Sequence, residues 1–271
     1  MKGPEAVHAG PERPNPVAER LARLKAAGRK AFVPFVMAGY PTLEATADLL
    51  RGLAQAGADA IEVGVPFSDP LADGPVNQTA SHAALQGGTT PEAVLALLEA
   101  VAPEIACPLM LFTYLNPVLQ RGVAAFVERA ARAGAAGFVI PDLPPEAGGE
   151  LAAQAAASGL GLTFLVAPTS PEERLRLADR ASTAFLYAVS LRGVTGERRS
   201  LPPDLPVFLR RVKAVAANPV LLGFGISTPE QAREAAGLTD GVIVGSALVR
   251  LAGEKGVGAA CRLAEDLRRA I

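Results

Sequence analysis

Eight short apolar runs, each followed by an Ala/Leu/Glu/Arg-rich stretch, predict an α/β protein built as a single (β/α)8 (TIM) barrel with an extra N-terminal helix. Two further observations support that class. Small-residue junctions ending on glycine recur before the apolar runs, at Ala56-Gly57-Ala58, Ala133-Gly134-Ala135, Ser158-Gly159 and Ala236-Gly237. Glycine there suits the left-handed residue that ends a helix. The rival arrangement, an open doubly wound sheet, lacks its dinucleotide fingerprint, since Thr228 stands where a third glycine would follow Gly223-Phe224-Gly225. A repeated helix–glycine–strand unit gives parallel strands with right-handed crossovers, and eight of them can close without an edge.

In chain order, residues 1–14 are polar and carry Gly and several Pro, and read as a flexible N-terminal arm. The barrel catalytic domain is expected over residues 15–271. Asn15-Pro16 resembles an N-cap with proline at the first helical position, opening a helix to about Ala27. The eight strands are read at Ala31–Ala38, Ala60–Val65, Pro108–Tyr114, Gly137–Ile140, Leu162–Val166, Ala184–Val189, Val220–Gly223 and Gly241–Val244. Helix starts are marked at Thr90-Pro91-Glu92, Ser170-Pro171-Glu172-Glu173 and Thr228-Pro229-Glu230-Gln231, the last two as capping boxes. A short helix is read from Ala247 to Leu251.

The 271 residues are 50% hydrophobic, enough for one large core. A net charge of −1 implies no basic face, so nucleic acid is not an expected partner. Cys107 and Cys261 lie far apart without CxxC spacing and read as reduced thiols. Only His8 and His82 are present, so a histidine metal site is not expected. No apolar run is long enough for a bilayer, and Met1–Pro16 has no secretory h-region. These features predict a cytoplasmic protein with no membrane partner.

A barrel of this kind carries its chemistry where the strands end. After strand two comes Glu62-Val63-Gly64-Val65-Pro66-Phe67-Ser68-Asp69-Pro70-Leu71-Ala72-Asp73-Gly74-Pro75. Strand side chains alternate, so Ile61, Val63 and Val65 share one face and Glu62 shares the other with Gly64. The branched face packs under the helices, which points Glu62 into the barrel, with Gly64 leaving room above it. A carboxyl held there is desolvated, its pKa rises, and it can shuttle a proton near neutral pH. The bland alternative is a buried Glu paired with a barrel Lys or Arg, and the predicted strands contain none. Asp69 reads as turn chemistry. For Asp73 turn chemistry and a functional carboxylate remain equal alternatives.

Three glycine-bearing loops follow strands six to eight: Gly193-Val194-Thr195-Gly196, Gly223-Phe224-Gly225-Ile226-Ser227 and Gly245-Ser246-Ala247. Glycine lets main-chain N–H groups approach an anion, and the helix after Gly245 attracts it further. Such barrels hold phosphate there, so a small phosphorylated substrate is expected. Phe35, Tyr114, Tyr187 and Phe224 stand at barrel-top positions and suggest a slot for a flat apolar moiety.

On Ala31-Phe32-Val33-Pro34-Phe35, the strand-two motif, Tyr187 with the Gly193–Gly196 loop, Gly223–Ser227 and Gly245–Ala247, the chain resembles the α subunit of tryptophan synthase from about Arg20 to its C-terminus. The resemblance implies retro-aldol cleavage of indole-3-glycerol phosphate to indole and glyceraldehyde 3-phosphate, with no cofactor and no metal. It implies that Glu62 is the general acid/base and that Asp73 holds the indole N–H. Tyr187 would lie near the reacting side chain. Gly196, Gly225, Gly245 and Ser246 would cradle the phosphate, Phe35, Tyr114 and Phe224 would surround the indole, and Gly193 and Thr195 would belong to a mobile lid. It further implies an α2β2 complex in which indole passes to the β subunit, touched through Pro66–Pro75 and Pro141–Pro144. Leu191-Arg192 depart from the Arg-then-small-residue pattern that often precedes the Gly-Val-Thr-Gly loop. The alternatives are a phosphoribosyl-type isomerase on a sister barrel, or a non-catalytic partner that only activates a β subunit.

Overall fold

A ring of parallel strands surrounds an inner core in the computed structural model, which describes residues 15–189, 203–223 and 225–271. The strands are β1 (Ala31–Met37), β2 (Ile61–Gly64), β3 (Leu109–Phe112), β4 (Ala135–Val139), β5 (Gly161–Thr163), β6 (Leu165–Val166), β7 (Leu186–Val189), β8 (Val220–Gly223) and β9 (Gly241–Val244). They pair in the order β5-β4-β3-β2-β1-β9-β8-β7-β6, and the two ends of that order are successive in the chain. β5 and β6 are the single fifth strand expected over Leu162–Val166, broken at Phe164. The Phe164 N–H turns aside to Ser182 Oγ at 3.0 Å. The lead-in to β7 seals the ring there: Thr183 N–H donates to Leu162 O at 2.8 Å, and Leu162 N–H donates to Thr183 Oγ1 at 2.9 Å. The result is the predicted eight-stranded barrel, its fifth strand interrupted by two hydroxyl side chains.

Strand alternation sorts the apolar residues into two cores. Phe32, Ile61, Val63, Leu111, Phe138 and Leu222 join the shell between strands and helices. Val33, Phe35, Met110, Phe112, Tyr187 and Ile243 fill the barrel interior. The helix Pro16–Ala26 adds Val17, Leu21 and Leu24 to that interior core, so it plugs the end where the strands begin. Asn15 caps it, its Oδ1 accepting from Ala18 N–H at 2.8 Å, and its Nδ2 donates across to Thr183 O at 2.6 Å. Buried Asp59 draws Arg20 from this helix and Arg268 from the C-terminal helix, at 3.0 and 3.3 Å, and accepts from Phe32 N–H. With this end sealed, the other mouth is left for chemistry.

Most helix starts coincide with the caps expected. Thr90 caps Pro91–Val101, and Thr228 forms a full capping box with Gln231. Ser170 does not: its helix starts at Glu172 after Pro171, and its Oγ accepts from Ala167 N–H at 3.0 Å, closing the tight turn before the helix. Gly57, Gly134 and Gly159 have φ of +91°, +83° and +71°, as the helix-end reading required. Gly237 instead lies inside the helix Pro229–Leu238, beyond which the Thr239 hydroxyl donates to Ala235 O at 2.8 Å. The short helix expected from Ala247 to Leu251 runs longer, over Ser246–Lys255.

Candidate active site

Glu62 faces inward. Its register partners are Phe35 on β1 and Met110 on β3, both inner-core residues, and its own exposure is 0%. Among the described residues neither carboxyl oxygen has a hydrogen-bond partner. Burial alone pushes its pKa from 4.5 to about 8, because nothing compensates the lost hydration of the charged form. The room expected above it at Gly64 is filled. A Cβ on Gly64 would lie 2.6 Å from Phe35 Cζ, so the glycine is what admits the phenyl ring.

Asp73 reaches the same mouth from the loop after β2. Ser81 staples that loop down: its hydroxyl accepts from Phe67 N–H and donates to Phe67 O, both at 2.9 Å. Asp73 N–H donates to Pro70 O at 3.0 Å, and Asp73 O accepts from Gln78 Nε2 at 2.9 Å. The carboxylate is buried and accepts from the Tyr114 hydroxyl at 3.0 Å. Tyr114 is itself oriented, since its oxygen accepts from Ala72 N–H at 3.1 Å. Burial raises the Asp73 pKa from 3.8 to about 6, against the lowering pull of Tyr114 and Asn77. Asp73 is a buried, hydrogen-bonded acid, whereas Asp69 is exposed beside Ser68 in the turn.

Tyr187 lies within electrostatic reach of both acids. Its hydroxyl is held well above the usual tyrosine range, first by burial and then by the negative charge of Glu62 and Asp73. Gly223 is required behind it, because a Cβ there would collide with the Tyr187 hydroxyl. The apolar wall is a chain of rings: Phe35 edge-on to Phe112 at 5.4 Å, Phe112 edge-on to Tyr114 at 6.5 Å, and Phe67 stacked on Tyr114 at 5.1 Å. Phe35 also lies against Gly245, where a Cβ would stand 3.2 Å from Phe35 Cδ1. The Phe35 ring therefore lies against both Gly64, two residues beyond Glu62 on the same strand face, and Gly245.

Gly245 precedes the helix Ser246–Lys255 with no side-chain cap; Leu248 N–H donates to Gly245 O at 2.9 Å, and the N–H groups of Ser246 and Ala247 at the helix start have no intrahelical acceptor. Gly225 adopts φ +80°, a conformation that side chains rarely take. Gly193, Thr195, Gly196 and Phe224 lie outside the described residues. Sequence reasoning missed Phe67, Phe112 and Asn77. Phe112 was findable from the two-residue period that joins Met110, Phe112 and Tyr114. Phe67 and Asn77 carry no such signal, because their places depend on how the loop folds back.

A closed parallel barrel with two buried acids of raised pKa on its strand-two segment is the architecture of a (β/α)8-barrel enzyme. The family model described as tryptophan synthase alpha chain matches residues 21–268. The chain is 48% identical over 262 residues to the tryptophan synthase alpha chain of Gloeobacter violaceus, covering 95% of each. It is 49% identical over 235 residues to that of Carboxydothermus hydrogenoformans, covering 87% of this chain and 88% of the relative. Tryptophan synthase from Mycobacterium tuberculosis superposes with a TM-score of 0.88 at 38% identity, covering 95% of this chain and 98% of the other. The alpha subunit from Legionella pneumophila gives 0.87 at 35% identity with the same coverage. The chain belongs to the tryptophan synthase alpha chain family.

Proposed function

We propose that this chain cleaves indole-3-glycerol phosphate to indole and glyceraldehyde 3-phosphate, with Glu62, Asp73 and Tyr187 at the reacting centre. Membership of the family makes it a lyase of tryptophan biosynthesis with a β-subunit partner. The observation that carries the chemical reading is Glu62: a fully buried carboxyl without a partner, protonated at neutral pH because burial lifts its pKa to about 8.

The steps follow from the states of the two acids. Protonated Glu62 gives its proton to the indole carbon that bears the side chain, which turns the ring into a cationic indolenine. Asp73, with a pKa of about 6, is the anion at pH 7 and stabilises the charged ring N–H. The Glu62 carboxylate then takes the proton from the adjacent side-chain hydroxyl. The carbon–carbon bond breaks, its electrons restore the aromatic ring, and the hydroxyl carbon leaves as the aldehyde. Glu62 ends protonated, as it began. General acid–base work of this kind contributes about 10²–10⁴ in rate for each group.

Around this centre Phe35 and Tyr114 form walls for the indole, while Gly225, Gly245 and Ser246 supply N–H groups to the phosphate. The assembly is an α2β2 complex in which indole passes to the β subunit. Leu71 supports this, because it stands 83% exposed on the Pro66–Pro75 loop expected to touch that subunit. The unit that acts runs over residues 15–271 and works in the cytoplasm. Among the described residues no helix is long and apolar enough to cross a membrane. The test is to mix purified protein with indole-3-glycerol phosphate and measure indole and aldehyde, with and without β subunit. Equal amounts of both products are expected, faster with the partner, and no indole in either arm overturns the reading.

A further inference from the structure

The helix Leu115–Arg121 starts from Tyr114, the residue whose hydroxyl donates to Asp73 at 3.0 Å. The first N–H groups of a helix have no partner inside it and need an acceptor from elsewhere. Tyr114 occupies the cap position and makes no capping hydrogen bond, since its hydroxyl is engaged with Asp73. The acceptor comes from another loop: Asp142 Oδ1 takes the Leu115 N–H at 2.9 Å. Asp142 stands in the loop after β4, in a turn closed by Leu143 N–H on Ile140 O at 3.1 Å and anchored by buried Leu143. Main-chain pairing of β3 with β4 runs as far as Thr113 N–H on Val139 O, at 3.0 Å, and Asp142 carries the tie on to Leu115.

An exposed aspartate at a helix start is ordinarily a cap and nothing more. Here the capped helix begins on a residue of the site. We propose that Asp142 is a positioning residue for Asp73: by holding the Leu115 N–H it fixes the main chain from which the Tyr114 hydroxyl reaches the acid. The consequence for rate rests on the retro-aldol reading, whereas the tie itself rests on contacts within this chain. The Leu115 N–H lies in the peptide plane that the Tyr114 ψ of 160° sets, so an acceptor on it stops that rotation. At its other end Tyr114 is buried, its oxygen accepts from Ala72 N–H at 3.1 Å, and its ring stacks on Phe67. One tyrosine thus joins the loop after β2, through its hydroxyl, to the loop after β4, through its peptide. Without Asp142 the first turn of this seven-residue helix frays, and the hydroxyl is free to leave the carboxylate. The charge of Asp142 also bears on that hydroxyl, which is held above the usual tyrosine range by burial first, then by Asp73, and last by Asp142.

The test compares wild type with Asp142→Ala, which removes the acceptor, and Asp142→Asn, which keeps one. Both should fold, since Asp142 is exposed. The kcat of Asp142→Ala for indole release should fall about fivefold, the equilibrium factor that a capping hydrogen bond is worth. KM should change much less, because Phe67 and Phe112 still hold the Tyr114 ring in the wall. Asp142→Asn should restore most of the rate. In a Tyr114→Phe background, where the hydroxyl is already gone, Asp142→Ala should cost less than about twofold more, since the two changes break one connection. A readout without turnover is carbon NMR of the protein labelled at tyrosine Cζ. The chain has three tyrosines, and Tyr114→Phe assigns the signal of interest. The Tyr114 signal should move in Asp142→Ala and return in Asp142→Asn, with Tyr40 in place throughout. If wild type releases no indole but the Tyr114 signal behaves in this way, the positioning stands and the retro-aldol reading falls. A Tyr114 signal unmoved in Asp142→Ala, a kcat loss as large without the Tyr114 hydroxyl as with it, or loss of the fold in Asp142→Ala overturns the proposal.

Discussion

Replacing Glu62 with Gln separates the acid's role in catalysis from its burden on the fold, because the two respond differently to pH. The unfolded chain ionises this carboxyl near pH 4.5, and the folded protein near pH 8. A folded pKa raised above the unfolded value has one sign. Stability is fully present below about pH 4.5 and is lost as pH rises toward 8, since only the unfolded chain can release the proton. The slope is about 1.4 kcal/mol per pH unit, and the full rise is worth about 5 kcal/mol, an upper figure for a group in a relaxing interior. The Glu62→Gln side chain cannot ionise and escapes this slope. It does bury an amide beside Phe35 and Met110, which costs a constant amount at every pH. The gap between variant and wild type should therefore swing in favour of the variant by several kcal/mol between pH 5 and pH 8. Urea unfolding at pH 5, 6.5 and 8 measures it. The raised Asp73 pKa acts in both proteins and cancels from the gap. Indole release should fall by about 10²–10⁴ at all three pH values, since an amide transfers no proton. A gap that stays constant across this range would show that Glu62 is not a buried neutral acid, and the reasoning about its chemistry would fail with it.

Two further outcomes follow from the same geometry. The rate profile of the wild type should be a bell with limbs near pH 6 and pH 8, Asp73 losing a proton on the acid side and Glu62 on the alkaline side; a profile flat from pH 5.5 to 8.5 would contradict that pairing. Gly64→Ala should raise KM at least tenfold with little loss of helicity, because the new methyl displaces Phe35 from the ring wall, whose Cζ would lie 2.6 Å away; unchanged KM would mean that Phe35 does not touch substrate.

The readable parts of this protein were the ones encoded in local periodicity. Glu62 could be aimed into the barrel because β-branched neighbours on either side fixed the strand's outer face, and burial on both faces leaves no choice of register. The strands β8 and β9 run over the residues expected, since glycine bounds both runs. The break at Phe164 was not readable. It depends on the hydroxyl of Ser182, 18 residues further on, competing for an N–H that periodicity assigns to a neighbouring strand. Asp73 stays open for the same reason in another form. An aspartate among Gly and Pro reads equally as a turn residue or a functional carboxylate, and what holds its carboxylate in place is Tyr114, 41 residues away on the end of another strand. Gly64 was read with the right size and the wrong purpose: the space it leaves belongs to a phenyl ring.

The site's central problem is to keep two carboxyls in one dry mouth with different charges. Desolvation pushes both pKa values up and does not distinguish them. The hydrogen bonds decide. Tyr114 donates to Asp73, which favours its charged form, whereas Glu62 receives no donor at all among the described residues. The proton is therefore held on Glu62 and the charge on Asp73, and that order matches the proposed reaction, which needs a donor at ring carbon and an anion at ring nitrogen. The same asymmetry explains why the stabler alternative of pairing Glu62 with a cation is unsuitable: a Lys or Arg beside it would fix the charge on the wrong acid. An unpaired buried carboxyl weakens the fold, and here that weakness is the condition for proton transfer at neutral pH.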